Sequence, residues 1–239
     1  MIDGSLKIQI ILDRSVPISI PAVRVKKNAK RLALMRSYAR HSGSSTSIEV
    51  LRRDLSENSG TTLAENTVSW YLEELRQIFV IEDIPAWNPN LRSKTAIRTA
   101  NTRYFSDSSI GVAALGIGPA DLINDLNSFG LFFETLCMRD LKVYAESLDG
   151  GVYHYRDKSG SECDAVVHLR NGRYGLIQIK LGSQEAVDYG ALKLQEIAGK
   201  LDLSKMKPPS FLMVLTAVGR FAYKRKDGVF VVPIGCLKN

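Results

Sequence analysis

No apolar run in this 239-residue chain approaches the roughly 18 residues needed to span a bilayer. The chain starts Met1-Ile-Asp-Gly4, with an acid where a signal peptide carries a basic region and an apolar block. A cytoplasmic chain with no membrane partner is therefore expected. Cysteine is scarce: Cys137, Cys163 and Cys236 are far apart and form no Cys-x-x-Cys pair, which argues against a zinc knuckle or a disulfide framework. Cys137 falls in an apolar helical pattern and Cys163 in a strand, so both read as small buried hydrophobes. A phosphate loop is missing as well. Gly-Lys occurs only at Gly199-Lys200, with Leu201 after it and Leu194 where the first loop glycine belongs, so no ATP site is expected in this chain. There is no internal repeat and no low-complexity segment.

Acids are absent from one stretch of a chain whose net charge is +7. Arg24, Lys26, Lys27, Lys30, Arg31, Arg36 and Arg40 follow one another with no acid between them. Such a block suits phosphate contact, where each neutralised phosphate releases counterions. The alternatives are a solvated helix face and an acidic partner.

What is present divides the chain into three parts. Residues 1–28 carry apolar content from Ile8 onward but include the helix breakers Pro17 and Pro21, and read as a linker. Residues 29–107 read as three short helices and a hairpin. Leu32, Met35 and Ala39 recur at helical spacing, and Ser42-Gly43 ends that helix. Ser47 caps a second helix that stops at Asn58-Ser-Gly60, and Asn66 is the expected cap of a third. Phe79–Ile84 and Arg103–Ser106 read as paired strands, joined by a basic loop with Trp87, Arg92, Lys94 and Arg98. This order is that of a winged helix, with Lys26, Lys27, Lys30, Arg31, Arg92, Lys94 and Arg98 as nucleic-acid contacts. The outward face of the third helix carries Glu73 and Glu74, which suits a protein partner as well as it suits DNA.

Residues 108–239 read as an α/β domain with a mixed sheet. Short helices over Ser108–Leu115 and Pro119–Leu126 lead into a long helix from Phe129 to Leu148. Strands follow at Val152–Tyr155, Cys163–Leu169 and Tyr174–Lys180, then a helix from Glu185 to Leu201 and strands at Phe211–Thr216 and Val229–Pro233.

Metal-dependent phosphodiester cleavage needs carboxylates to hold Mg²⁺ and a base or cation beside the attacking water. Glu134 on the long helix, Asp164 in the second strand, and Gln178 and Lys180 in the third are the candidates. Gln178 and Lys180 alternate with Ile177 and Ile179 and so share a face. Asp164 joins them only if the hairpin turn has three residues, with Gly172 in the left-handed position; a two-residue turn sends Asp164 to the other side. His154 and His168 read as packed histidines. Asp157 and Glu162 flank a turn that accounts for them.

The motifs Tyr71-Leu72, Pro85-Ala-Trp87, Asn90-Leu-Arg-Ser93, Tyr104-Phe-Ser-Asp107, Phe132-Phe-Glu134, His154–Gly160, Glu162-Cys-Asp164 and Gln178-Ile-Lys-Leu-Gly182 resemble domain-of-unknown-function family 4143 over roughly residues 30–235. The resemblance implies a PD-(D/E)XK, restriction-endonuclease-like domain behind a winged helix, found as the C-terminal part of bacterial and archaeal AAA-type ATPases. It implies that Glu134, Asp164, Gln178 and Lys180 take the catalytic positions, with Asp164, Gln178 and Glu134 as Mg²⁺ ligands. Gln178 departs from the pattern, where an acid is usual, and weakens the expected metal site. The ATPase half is absent, and residues 8–25 would correspond to the last piece of its lid, as in a truncated or stand-alone remnant. Three functions stay open: a DNA-interacting module with weak or no activity, a protein scaffold that assembles with an ATPase partner, and a Mg²⁺-dependent nuclease.

Overall fold

The computed structural model describes residues 21–88, 100–157 and 159–237, with side chains from Ala29 onward. Helix α1 (Pro21–Arg40) begins earlier than the apolar period implies. Pro21 stands at its first position, where a missing N–H costs nothing and the fixed φ already suits a helix. Helix α2 (Ile48–Ser59) is bounded as its sequence dictates: the Ser47 hydroxyl accepts from the Val50 amide, and Gly60 closes it at φ 60°. Helix α3 (Glu65–Gln77) starts one residue before Asn66; Ala64 holds the cap position without a side-chain bond. Strands β1 (Ile81–Ile84) and β2 (Thr102–Phe105) form a two-stranded sheet. Helices α4 (Ser108–Leu115) and α5 (Pro119–Asn124) follow.

These elements belong to a first compact unit, residues 1–83 and 102–135. Its core is built on α1, where Leu34, Met35 and Tyr38 are fully buried against Leu51, Leu55, Leu72 and Phe105. Tyr38 and Phe105 meet edge to face at 5.1 Å. The Tyr38 hydroxyl donates to the Tyr104 carbonyl at 3.1 Å, and Arg76 of α3 grips Asp83 of β1 through Nε and Nη2 at 3.0 and 2.7 Å. Helices α4 and α5 belong to this unit, so it extends past the boundary at residue 107 expected from the sequence.

Helix α6 (Leu126–Ser147) starts three residues before Phe129. Asp125 accounts for this: its carboxylate accepts from the amides of Asn127 and Ser128 and from the Ser128 hydroxyl, which is N-terminal capping.

The second unit comprises residues 84–101 and 136–239. It contains β3 (Gly150–Arg156), β4 (Glu162–Leu169), β5 (Tyr174–Lys180), α7 (Gln184–Lys200), β6 (Phe211–Thr216), β7 (Tyr223–Lys224) and β8 (Phe230–Pro233). They form one mixed sheet in the order β3-β4-β5-β6-β8-β7, with β5, β6 and β8 parallel to one another. The mixed α/β layout expected from the sequence is present. Helix α7 packs on β5 and β6 closely enough that a Cβ on Gly190 would lie 3.4 Å from Val214 and 3.5 Å from Gln178. Trp87 is buried in this unit against Tyr155 and Tyr174, and Cys163 lies in the same core. Cys137 is also buried, as expected. Among the described residues no helix is long and apolar enough to cross a membrane.

Candidate functional site

The turn between β4 and β5 fixes the site. His168 pairs with Tyr174 and Ala165 with Ile177, while Leu169 bonds Arg173 across the loop Arg170-Asn-Gly172. Gly172 sits at φ 80°, a left-handed conformation open to glycine at little cost. The turn therefore has three residues, and continuing its register sets Asp164 opposite Gln178. Asp164, Gln178 and Lys180 thus share one face, the one that α7 flanks.

They line a polar cavity of about 320 Å³ together with Ser159, Ser161, Glu162, Tyr189 and Lys193. Asp164 Oδ2 accepts the Ile179 amide at 2.7 Å and the Lys180 ammonium at 3.4 Å. The Asp164 side chain is 17% exposed and that of Lys180 25%. Burial pushes the Asp164 carboxyl above its ordinary value, and the charge of Glu162 adds to this, while Lys180 and the Ile179 amide oppose it. Gln178 is buried and donates its side-chain amide to the Glu162 carbonyl at 2.6 Å. Its amide oxygen remains as the acceptor atom of that side chain.

Part of the cavity's lining is a tied turn. Asp157 accepts from the Ser159 hydroxyl at 2.7 Å and the Ser161 amide at 2.8 Å, and Lys200 of α7 reaches Asp157 and both serines. Desolvation alone would raise the Asp157 carboxyl, but the hydroxyl and amide donors together with Lys200 outweigh it and hold the group at about 2. Lys193 pairs with Glu196 at 2.8 Å and lies over the Tyr189 ring. Two lysines, Lys180 and Lys193, thus line the cavity and Lys200 ties its turn, each with an acidic partner.

Glu134 belongs to the first unit. There it accepts the Tyr104 hydroxyl at 2.5 Å, and a Cβ on Gly43 would lie 3.4 Å from its Oε1. Three of the four expected catalytic residues therefore gather in one cavity of the second unit, and the fourth is bonded within the first. Glu162 is the residue that sequence reasoning assigns to the turn alone. It stands two positions before Asp164 on the same strand face and lines the same cavity; period-2 alternation is the available signal.

The donor set does not fit a Mg²⁺ centre well. One half-buried carboxylate already carries two donors, the neighbouring side chain is an uncharged amide, and Glu162 is exposed. Among the described residues no group of three or more His, Cys, Asp or Glu is arranged to hold a metal. Magnesium favours octahedral oxygen coordination anchored by carboxylates.

Of the residues expected to contact nucleic acid, Lys30 is exposed. Arg31 departs from that expectation. It is buried, its guanidinium 5.3 Å from the ring centre of Tyr71 and 5.8 Å from that of Trp70, a cation–π packing that removes it from a phosphate-facing surface. Arg36 donates to the Ala114 carbonyl and Arg40 pairs with Asp54. Arg92, Lys94 and Arg98 lie outside the described residues, as do the side chains of Lys26 and Lys27. His154 is buried with Nε2 3.2 Å from the Ala100 carbonyl, and His168 packs among Trp87, Tyr153 and Tyr174, so both are packed histidines.

Residues 129–237 match the family model described as Domain of unknown function (DUF4143). That stretch contains Glu134 and the whole Asp164 cavity, so the resemblance seen in the sequence holds there. Residues 14–121 match a different model, described as Domain of unknown function (DUF8612), so the likeness to the first family is narrower than the span from residue 30. No curated protein and no solved structure matches the chain.

Proposed function

We propose that this chain is a DNA-interacting module, with a winged helix as its first unit and a PD-(D/E)XK, restriction-endonuclease-like domain of low or no cleaving activity as its second. The observation that carries this reading is the convergence of Asp164, Gln178 and Lys180 on one strand face, with a lysine ammonium rather than a second carboxylate beside Asp164. In this reading the cavity keeps the positions of a phosphodiester-cleaving centre but has too little carboxylate charge to hold its metal. Lys180 and Lys193 at the cavity supply cations for a phosphate backbone, and serine hydroxyls supply donors.

The test is a cleavage and binding assay on labelled duplex DNA with Mg²⁺ or Mn²⁺, comparing the unaltered chain with Gln178→Glu. Binding without appreciable cleavage by the unaltered chain, and cleavage gained by Gln178→Glu but lost on adding Asp164→Ala, supports the reading. Efficient cleavage by the unaltered chain would make it a Mg²⁺-dependent nuclease instead.

A second reading is favoured by the surface of α3 and the residues after it. Trp70 is 52% exposed and Phe79 82%, and Phe79 is held at φ 57°, a strained conformation for an aromatic residue. With Glu73 beside them, these residues suit a protein surface better than a DNA groove. In this reading the first unit docks on an AAA-type ATPase partner. Co-purification with such a partner, lost on Phe79→Asp, tests it.

A further inference from the structure

The edge of the second unit's sheet carries a feature that the Asp164 cavity does not use. From Arg220 to Lys226 the chain reads Arg-Phe-Ala-Tyr-Lys-Arg-Lys: four cations and two aromatic rings, with no acid among them. Strand β7 lies within it and pairs with β8 as an antiparallel hairpin at the end of the sheet, Tyr223 opposite Val231 and Lys224 opposite Phe230.

The hairpin is held rather than loose. The Arg225 amide bonds the Val229 carbonyl at 2.8 Å, and the Gly228 amide bonds the Arg225 carbonyl at 3.0 Å. Arg225 pairs with Asp227 in the turn and with Asp188 of α7. Gln195, two turns along α7, donates to the Asp227 carbonyl at 3.3 Å. Arg225 is therefore committed to positioning, and Arg220, Lys224 and Lys226 are the exposed cations of the segment.

The two rings face solvent. Phe221 is 68% exposed and Tyr223 41%, with ring centres 6.3 Å apart. Lysines alone on an edge strand would serve to prevent sheet-to-sheet association. Two exposed aromatic rings work against that purpose, so protection of the edge does not explain them. Lys224 leaves the strand on the face opposite Tyr223 and lies over the Phe230 ring at 5.2 Å. Two exposed rings with the exposed cations Arg220 and Lys226 in the same edge segment do match a single-stranded nucleic acid: unpaired bases stack on the rings while phosphates meet the cations. In a duplex the base faces are hidden, and only the phosphate contacts remain.

We infer that the β7–β8 hairpin is a binding platform for single-stranded nucleic acid, with Phe221 and Tyr223 stacking bases and Arg220 and Lys226 contacting phosphate. Helix α7, which pins the hairpin through Asp188 and Gln195, also presents Tyr189 and Lys193 to the polar cavity. The platform does not depend on whether that cavity cuts or binds.

The test is fluorescence anisotropy of a labelled oligo(dT) and of a duplex of equal length with the full chain in EDTA, where the Asp164 centre cannot act through metal. The unaltered chain should bind oligo(dT). The double substitution Phe221→Ala with Tyr223→Ala should weaken that binding by about tenfold or more, since stacking is a main contribution, and should leave duplex binding nearly unchanged. Arg220→Ala with Lys226→Ala should weaken both substrates and flatten the salt dependence. Both rings are exposed, so circular dichroism should show unaltered folding; Phe221→Trp should retain binding and have its indole fluorescence quenched by oligo(dT), a readout that a merely folded variant would not give. No oligo(dT) binding at low salt, equal binding by the ring-less variant, or unquenched fluorescence of the Phe221→Trp variant in saturating oligo(dT) would overturn the inference. An acidic peptide that displaces oligo(dT) and loses affinity with the cations but not the rings would also overturn it, assigning the hairpin to a protein partner. Duplex binding that is absent, or unaffected by changes at Lys180 and Lys193, with oligo(dT) binding intact, would count against the proposed function alone.

Discussion

The ammonium of Lys180 shares Asp164 Oδ2 with the Ile179 amide, at 3.4 and 2.7 Å. The two side chains come from β5 and β4, so this contact ties together the strands that carry the candidate site. Removing one partner leaves a largely buried charge with fewer donors. Lys180→Met is expected to destabilise the fold by on the order of 1–3 kcal/mol. Adding Asp164→Asn should recover part of that loss, and urea unfolding of both single variants and the pair measures the coupling. Fully additive effects would mean that the ion pair contributes little.

Gln178→Glu makes a second prediction. The new carboxylate would sit beside Asp164 and would lose the amide that donates to the Glu162 carbonyl at 2.6 Å. Its melting temperature should fall in EDTA and rise again with Mn²⁺, because an ion that binds only the folded state stabilises it. The unaltered chain should show little rise over the same range.

The strand register that makes the site depends on one turn, and this much is legible in the sequence. Alternation places Gln178 and Lys180 together, and Gly172 is the one residue of Arg170-Asn-Gly172 best suited to a left-handed position. Gly172→Ala should therefore destabilise by roughly 1–2 kcal/mol, with Gly172→Asn milder because Asn tolerates that region better. Thermal unfolding of both variants checks the order.

Other parts are less legible for physical reasons. Asp125 caps α6 from within a run that looks like a continuation of α5, so the apolar pattern sets the helix start too late. Strand β7 has two residues, too few for any period to register. Arg31 stands in a run of cations, and only the fold reveals the Trp70 and Tyr71 rings that cover it. Glu162 looks accounted for by its turn because Asp157, five residues earlier, does hold that turn.

Stability should depend on pH through His154 and His168. Burial lowers both below the ordinary histidine value of 6.5, so the fold holds them neutral. An unfolded chain takes up these protons as pH falls through 6.5 while the folded chain resists. Their contribution is present above that pH and is lost progressively below it. Denaturation midpoints should fall between about pH 7 and 5, and His154→Gln should flatten that slope. A slope unchanged by His154→Gln would show that the imidazole is not held neutral.

The most direct measurement is a salt titration of duplex DNA binding to the intact chain in EDTA, repeated with Lys180→Ala and Lys193→Ala combined. Binding without metal that weakens steeply with salt, and a shallower slope in the variant, is the expected result. Absent binding at low salt, or affinity flat across salt, would contradict a DNA-interacting role.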